Sequence, residues 1–301
     1  MKESIIKGQV TRLNKLLEAL KPGEMLVKPN LNGEVYHRAI GVSTSKLKLF
    51  LECPRKYQAM YVTGEMEREE SKAFDVGKAG HGLILEPEKF NAEFVVQPSE
   101  IKVRRGKAWD AFKEENPDKT IITADDFKNC HGMRDSVMSH PFGKKLLTGG
   151  RAEVSYFKRD VETGLIIKCR PDYELGDLLV DVKTAASAEP SEFTRTAKRL
   201  MYHMQDAIYL DITGKKGFSF LAVEKKAPFV CTAPLTFDDE ARRLGYLVYR
   251  KALLDLSVAI EFNHFEGYTN RPVEMGLKPW EAKELEELES TINTDEMGIA
   301  A

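Results

Sequence analysis

The chain has 301 residues, with 45 Lys and Arg against 47 Asp and Glu, a formal net charge of −2; it is 42% hydrophobic and 31% charged. This composition excludes a disordered or collagen-like chain, and no apolar run approaches the ~18 residues of a membrane-spanning helix. The near balance of charge argues against a general nucleic-acid coat, which is normally basic. The start, MKESIIKGQVTRLNK, has no uninterrupted apolar stretch, so no secretory signal is expected. Cys53, Cys130, Cys169 and Cys231 lie far apart without CxxC or zinc-like spacing, and reduced thiols in the cytoplasm are expected.

In chain order, Val10, Leu13, Leu16, Leu17 and Leu20 recur at helical spacing, and Lys21-Pro22-Gly23 stops that helix. Residues 28–42 read as irregular or extended. Ser43-Thr44-Ser45 offers caps for a helix with Leu47, Phe50 and Leu51, and Pro54 opens the next. Ser71 to Leu85 reads as a helix despite Gly77, Gly80 and Gly82, which imply a close backbone approach to another element. Glu86-Pro87 ends it. Phe94 to Val96 is a strand, and Ile101 to Lys107 a basic loop. Helices follow at Lys107 to Glu115 and Asp125 to Ser139. The middle is β-rich, with strands expected at Ala152 to Lys158, Leu165 to Leu175, Leu178 to Thr184, Phe218 to Val223 and Pro228 to Thr232. Single helices are expected at Ala197 to Ile212 and Phe237 to Ala259, and the acidic end, Glu281 to Ala301, is expected to fray. One domain with decorations is expected: an extension at 1–35, a core at 36–260 and a C-terminal extension at 261–301.

The stretch LIIKCRPDYELGDLLVDVKT (165–184) carries the most chemistry. With Gly176-Asp177 as the turn, Leu175 pairs with Leu178, Glu174 with Leu179, and Asp172 with Asp181. Like charges directly opposite are destabilising in a sheet, and more so among apolar neighbours. A divalent cation between them removes the conflict. Lys183 projects from the face of Asp181. Two carboxylates and an amine suit phosphodiester hydrolysis, with a hard cation held by the acids and activating water, and with the lysine orienting or deprotonating that water or stabilising developing charge. A plain surface Asp–Lys pair is the competing reading.

Pro171-Asp172, eight residues, then Asp181-Val182-Lys183 resembles the PD-(D/E)xK nuclease signature. Gln205 and Tyr209, on one helix face, resemble the QxxxY motif of the RecB-like and phage-exonuclease branches. Upstream, SKLKLFLECPRKY (45–57), AFDVGKAGHGLILEPEKF (73–90) and GMRDSVMSHP (132–141) are similar, in order, to exonuclease VIII, the RecE nuclease domain. The resemblance covers roughly residues 36–260. It implies an α/β restriction-endonuclease-like core, a central mixed β-sheet flanked by helices. It further implies a Mg²⁺-dependent exonuclease that degrades one strand of duplex DNA from its 5′ end and leaves 3′ overhangs for recombination. A ring of three or four copies, a single-strand annealing partner of the RecT kind, and a phage or prophage origin also follow from the likeness.

The same likeness assigns His81, Asp172, Asp181 and the Val182 carbonyl to the metal, and Glu153 to a second metal. Gln205 and Tyr209 would contact DNA phosphate or position Lys183. Imidazole is commoner on Mn²⁺ than on Mg²⁺, so Mn²⁺ is expected to substitute. Lys102, Arg104, Arg105 and Lys107 form a basic cluster suited to gripping a DNA end, or else a solvated loop. Cys53, in Glu52-Cys53-Pro54-Arg55, lacks the second cysteine cluster of the iron–sulfur nucleases, so no such cluster is expected. Another nuclease of the same fold, an endonuclease or a helicase-associated module, is the alternative, and a non-catalytic DNA-binding protein a more distant one.

Overall fold

The computed structural model describes residues 2–66 and 72–298; Ser71, the expected start of one helix, lies outside them. Residues Met1–Phe265 form one unit and Glu266–Ala301 a second.

The first unit opens with α1 (Lys2–Glu18), which buries Ile6, Leu13 and Leu17 at helical spacing. After Lys21-Pro22-Gly23 the chain forms β1 (Met25–Lys28), antiparallel to a later strand. Residues 28–42 are not wholly extended, because α2 (Gly33–Arg38) interrupts them, capped by the Asn32 side chain on two backbone N–H groups. The buried Lys168 ammonium donates to the carbonyls of Tyr36 (2.8 Å), Ala39 (2.7 Å) and His37 (3.4 Å), anchoring the end of this helix. Then come α3 (Thr44–Glu52), capped by Ser43, and α4 (Pro54–Tyr61), opened by Pro54.

Next are α5 (Lys72–Leu85) and α6 (Pro87–Glu93), followed by β2 (Phe94–Val96), α7 (Lys107–Glu115) and β3 (Thr120–Ile122). β2 and β3 pair in parallel as a separate two-stranded sheet. α8 (Ala124–Ser139) begins with a reciprocal Thr123–Asp126 capping box. It packs on α5 so closely that a Cβ on Gly80 would stand 2.9 Å from Met133 Cε. α9 (Pro141–Leu146) follows.

Two expected strands are each broken in two. Ala152 to Lys158 becomes β4 (Arg151–Ala152) and β5 (Ser155–Arg159), and Leu165 to Leu175 becomes β6 (Ile166–Cys169) and β7 (Tyr173–Leu175). β5 and β6 join β1 in one sheet, while β4 and β7 join another. A two-stranded ribbon therefore bends from sheet to sheet. On one strand the bend is at Glu153, with φ of 52°; on the other it is at Arg170-Pro171-Asp172, where proline supplies no N–H for a ladder. The Glu153 N–H donates to the Asp172 carbonyl at 3.1 Å across the bend.

β8 (Leu178–Ala185) completes the expected hairpin, with Leu175 opposite Leu178 and Glu174 opposite Leu179. Gly176 takes φ of 58° at the turn, a conformation open to glycine at little cost. The expected Ala197 to Ile212 helix is two, α10 (Pro190–Arg199) and α11 (Tyr202–Thr213), separated at Leu200 and at Met201, with φ of 51°. β9 (Gly217–Glu224) pairs in parallel with β8, giving a mixed sheet in the order β4-β7-β8-β9. Pro228 to Thr232 is not a strand; only an isolated Val223–Cys231 bridge remains. α12 (Asp239–Glu261) closes the unit.

Alternation along β8 sorts its side chains between two layers. Val180 and Val182 join the core under α5 and α8, with Ala79, Leu83 and Met133. Leu179 packs with Phe193, Phe218 and Phe220 under α10 and α11. The four cysteines form no disulfide. No helix among the described residues is long and apolar enough to cross a membrane. In the second unit, α13 (Pro279–Gly298) is helical through most of the acidic end that was expected to fray.

α11 and α12 cross at Gly245, where a Cβ would fall 2.2 Å from the His203 carbonyl oxygen. Backbone cannot retreat as a flexible side chain does, so Gly245→Ala should destabilise the fold by about 1–3 kcal/mol, the range of core overpacking. Urea midpoints of the two proteins check this; equal midpoints would show that the crossing can open without cost.

Candidate active site

The site lies where the bent ribbon meets β8. Asp172 sits one residue before the last paired position of the hairpin, Tyr173 opposite Val180. It is 9% exposed, and Asp181 is 2% exposed. Asp172 Oδ2 accepts the Val182 N–H at 2.7 Å. Burial, then the charge of Asp181, pushes the Asp172 carboxyl up to about 6 against the pull of His81, Lys183 and that N–H.

Lys183, two residues along β8, forms an ion pair with Asp181 Oδ2. Burial opposes its charge, but Asp181 and Asp172 outweigh burial and hold the ammonium above its usual range. Gln205, at the start of α11, reaches both groups. Its amide nitrogen donates to Asp181 Oδ1, and its amide oxygen accepts from Lys183 Nζ at 3.4 Å. Tyr209, one turn on, packs edge-on against Phe218 at 5.6 Å. Burial first, then Tyr36 and Asp181, raises its hydroxyl well above the usual range, so it keeps its proton.

His81 projects from α5, with Nδ1 3.6 Å from Asp172 Oδ2. Glu153 stands at the ribbon bend and feels Asp172, Glu86 and Asp181. Burial and these charges lift it to about 8, although Arg170 pulls it down. His81, Glu153, Asp172, Asp181, Lys183, Gln205 and Tyr209 are thus brought into one neighbourhood. The basic loop is not brought into contact with it: Lys102, Arg105 and Lys107 are exposed, and Arg104 donates to Gln97 Oε1 and the Ile121 carbonyl and stacks on Trp109 at 5.4 Å.

Two members were not legible in the sequence. Glu86 was read only as part of a helix stop, yet its charge acts on Glu153 and Arg170. Arg170 is held by Ser155 Oγ (2.8 Å), the Leu31 carbonyl (2.8 Å) and the face of Tyr36 (4.4 Å), and its Nη1 lies 3.7 Å from Glu153 Oε2. Its place immediately before Pro171-Asp172 was the available signal.

A divalent metal fits the donor chemistry at Asp172 and Asp181. Burial and the charge of Asp181 raise the Asp172 carboxyl, and Asp181 Oδ2 accepts no well-directed hydrogen bond although Lys183 stands beside it. Hard oxygen donors of this kind suit Mg²⁺ or Mn²⁺. No three His, Cys, Asp or Glu side chains among the described residues already surround one point. Asp172 and Asp181 are therefore the pair that would hold the ion, with His81 and Glu153 next to them.

Residues 43–253 match the family model described as a PDDEXK-like domain of unknown function, DUF3799. No curated protein matches the chain by sequence. The crystal structure of a protein from Eubacterium rectale, named as a candidate exonuclease, superposes with a TM-score of 0.57 at 17% identity, covering 83% of this chain and 97% of that one. This likeness concerns the fold. An alkaline exonuclease from Laribacter hongkongensis aligns at a TM-score of only 0.32 and 16% identity, over 59% of this chain and 95% of that one, too low to bear on it.

The raised Glu153 value has a measurable sign. Its folded value of about 8 exceeds its ordinary 4.5, so between them the folded state holds more protons than the unfolded one. That stabilisation is complete below 4.5 and is lost as pH rises through about 8. In metal-free buffer, Glu153→Gln should match wild type at the acid end and gain on it toward the alkaline end. Thermal midpoints across that range test this; parallel curves would show that Glu153 does not carry the effect.

Proposed function

The chain belongs to the PDDEXK-like family DUF3799, and from that premise we propose that it is a metal-dependent exonuclease that hydrolyses duplex DNA from its 5′ ends. The observation that carries this reading is the buried Asp172–Asp181–Lys183 group with Gln205 bridging its last two members. A catalytic lysine left alone in a half-buried position would tend to lose its proton. Here Asp181 and the Gln205 oxygen hold it charged and fix its direction, so it stabilises negative charge building on the attacked phosphate. A divalent ion held by Asp172 and Asp181 would polarise the phosphoryl oxygen and lower the pKa of water. The Val182 carbonyl and His81 are proposed as its further ligands, and Mg²⁺ as the ion, with Mn²⁺ able to replace it. Gln205 aligns Lys183 with Asp181, and Tyr209, protonated, remains a hydrogen-bond donor.

The 5′ polarity, the 3′ overhangs for strand annealing, a ring of three or four copies and a RecT-like partner are supported by the ordered likeness of residues 36–260 to exonuclease VIII. The basic loop, Lys102 to Lys107, is proposed to hold duplex outside the catalytic centre; its exposure supports that role.

With Mg²⁺ or Mn²⁺, wild-type protein should release mononucleotides from linear duplex. Asp181→Ala and Lys183→Ala should slow release by about 100-fold or more, the scale of losing one preorganised charge-stabilising group. Duplex labelled at one end or the other reports polarity. Cutting of covalently closed circles would favour an endonuclease, and intact DNA with both metals would remove the nuclease reading.

A further inference from the structure

Lys48 lies on α3, within the segment 45–57 that resembles exonuclease VIII but with no role assigned by that likeness, and its ammonium ends at the catalytic group. It donates to the carbonyl of Leu200, at the break between α10 and α11. It lies 5.2 Å from the centre of the Tyr202 ring, and Lys183 lies 4.7 Å from the same centre. Two ammonium groups therefore share one aromatic ring. Lys183 is compensated by Asp181. Lys48 makes no ion pair among the described residues, and it is half-buried.

Its surroundings are mostly positive. Lys183 acts on it directly, with Asp181 the opposing charge. Arg199 acts on Tyr202, and Lys198 and Lys48 both act on the adjacent His203. Burial, then Lys183, pulls the Lys48 ammonium down to about 8. A cation placed beside other cations, with one of its three donors on a backbone carbonyl, lacks an anion. α3 cannot swing it away, because Leu47 and Phe50 are locked into the main core.

We infer that Lys48 contacts a backbone phosphate of the bound nucleic-acid strand, beside the phosphate that faces Lys183. The inference rests on the nuclease reading for the identity of the anion. A compact ammonium engages phosphate as a point charge without reading bases. Lys48 thus adds affinity at the catalytic centre that is independent of sequence and weakened by salt.

The experiment measures binding of a fluorescent duplex by anisotropy, between about 50 and about 200 mM salt, for wild type, Lys48→Arg, Lys48→Gln and Lys48→Met. Thermal midpoints are recorded for each. The two neutral variants should bind about tenfold more weakly at low salt, and their plot of log affinity against log salt should be shallower by about one unit. Lys48→Arg should keep both properties. Lys48→Gln keeps a donor for the Leu200 carbonyl without the charge, so wild-type binding by this variant overturns the inference and leaves Lys48 a structural tie. Loss of binding by Lys48→Arg equal to that of Lys48→Met, at an unchanged midpoint, also overturns it. Hydrolysis by wild type is assayed separately: a protein that binds but never cuts would defeat the nuclease reading alone, whereas one that cuts with Lys48→Gln indistinguishable from wild type would defeat this inference alone.

Discussion

Two carboxylates held out of water within reach of each other form the constraint around which this structure is arranged. Burial and the charge of Asp181 raise the Asp172 carboxyl, and the neighbours answer that problem in part. Val182 gives Asp172 a backbone donor, Lys183 gives Asp181 a cation, and Gln205 keeps lysine and acid in register. Burial first, and then the remaining repulsion, appear in the raised values of Asp172 and Glu153. A divalent cation held there would turn the same arrangement from a cost into a source of affinity.

The bend in the β4–β5/β6–β7 ribbon creates the arrangement. Had the two strands run straight, Glu153 and Asp172 would have been ordinary ladder residues, each directed by the pleat to one face of one sheet. Because the ribbon passes between sheets at these residues, their side chains gather in the gap. There α5 supplies His81 and the nearby Glu86, and α11 supplies Gln205. Arg170, on the same bend, opposes the negative charge from the other side.

What could be read from the amino-acid sequence divides along physical lines. The β7–β8 register followed from one glycine turn and the alternation beside it, and the pairs at Leu175 and Glu174 stand as expected. Helices opened by Ser43 and Pro54 announced themselves through a cap and a proline. Apart from the strand break at Pro171, whose proline does signal it, the departures fall where side-chain identity does not signal backbone geometry. Glu153 and Met201 adopt positive φ without being glycine, a conformation imposed by tertiary packing, and so one strand and one helix were each read as continuous. Phe229 also has positive φ, in the segment mistaken for a strand. Glu86 and Lys48 were missed for a different reason: each lies far in sequence from the residues it meets, and neither sits in a periodic pattern that points inward.

The anchoring of Arg170 bears on where the working unit begins. The guanidinium that faces Glu153 is held by the Leu31 carbonyl and the Tyr36 ring, both upstream of the residue at which the family match starts. Leu31 and α2 thereby buttress the bend at which Arg170 meets Glu153. The structural support of the Glu153 bend therefore begins further toward the N-terminus than the stretch matched by the family.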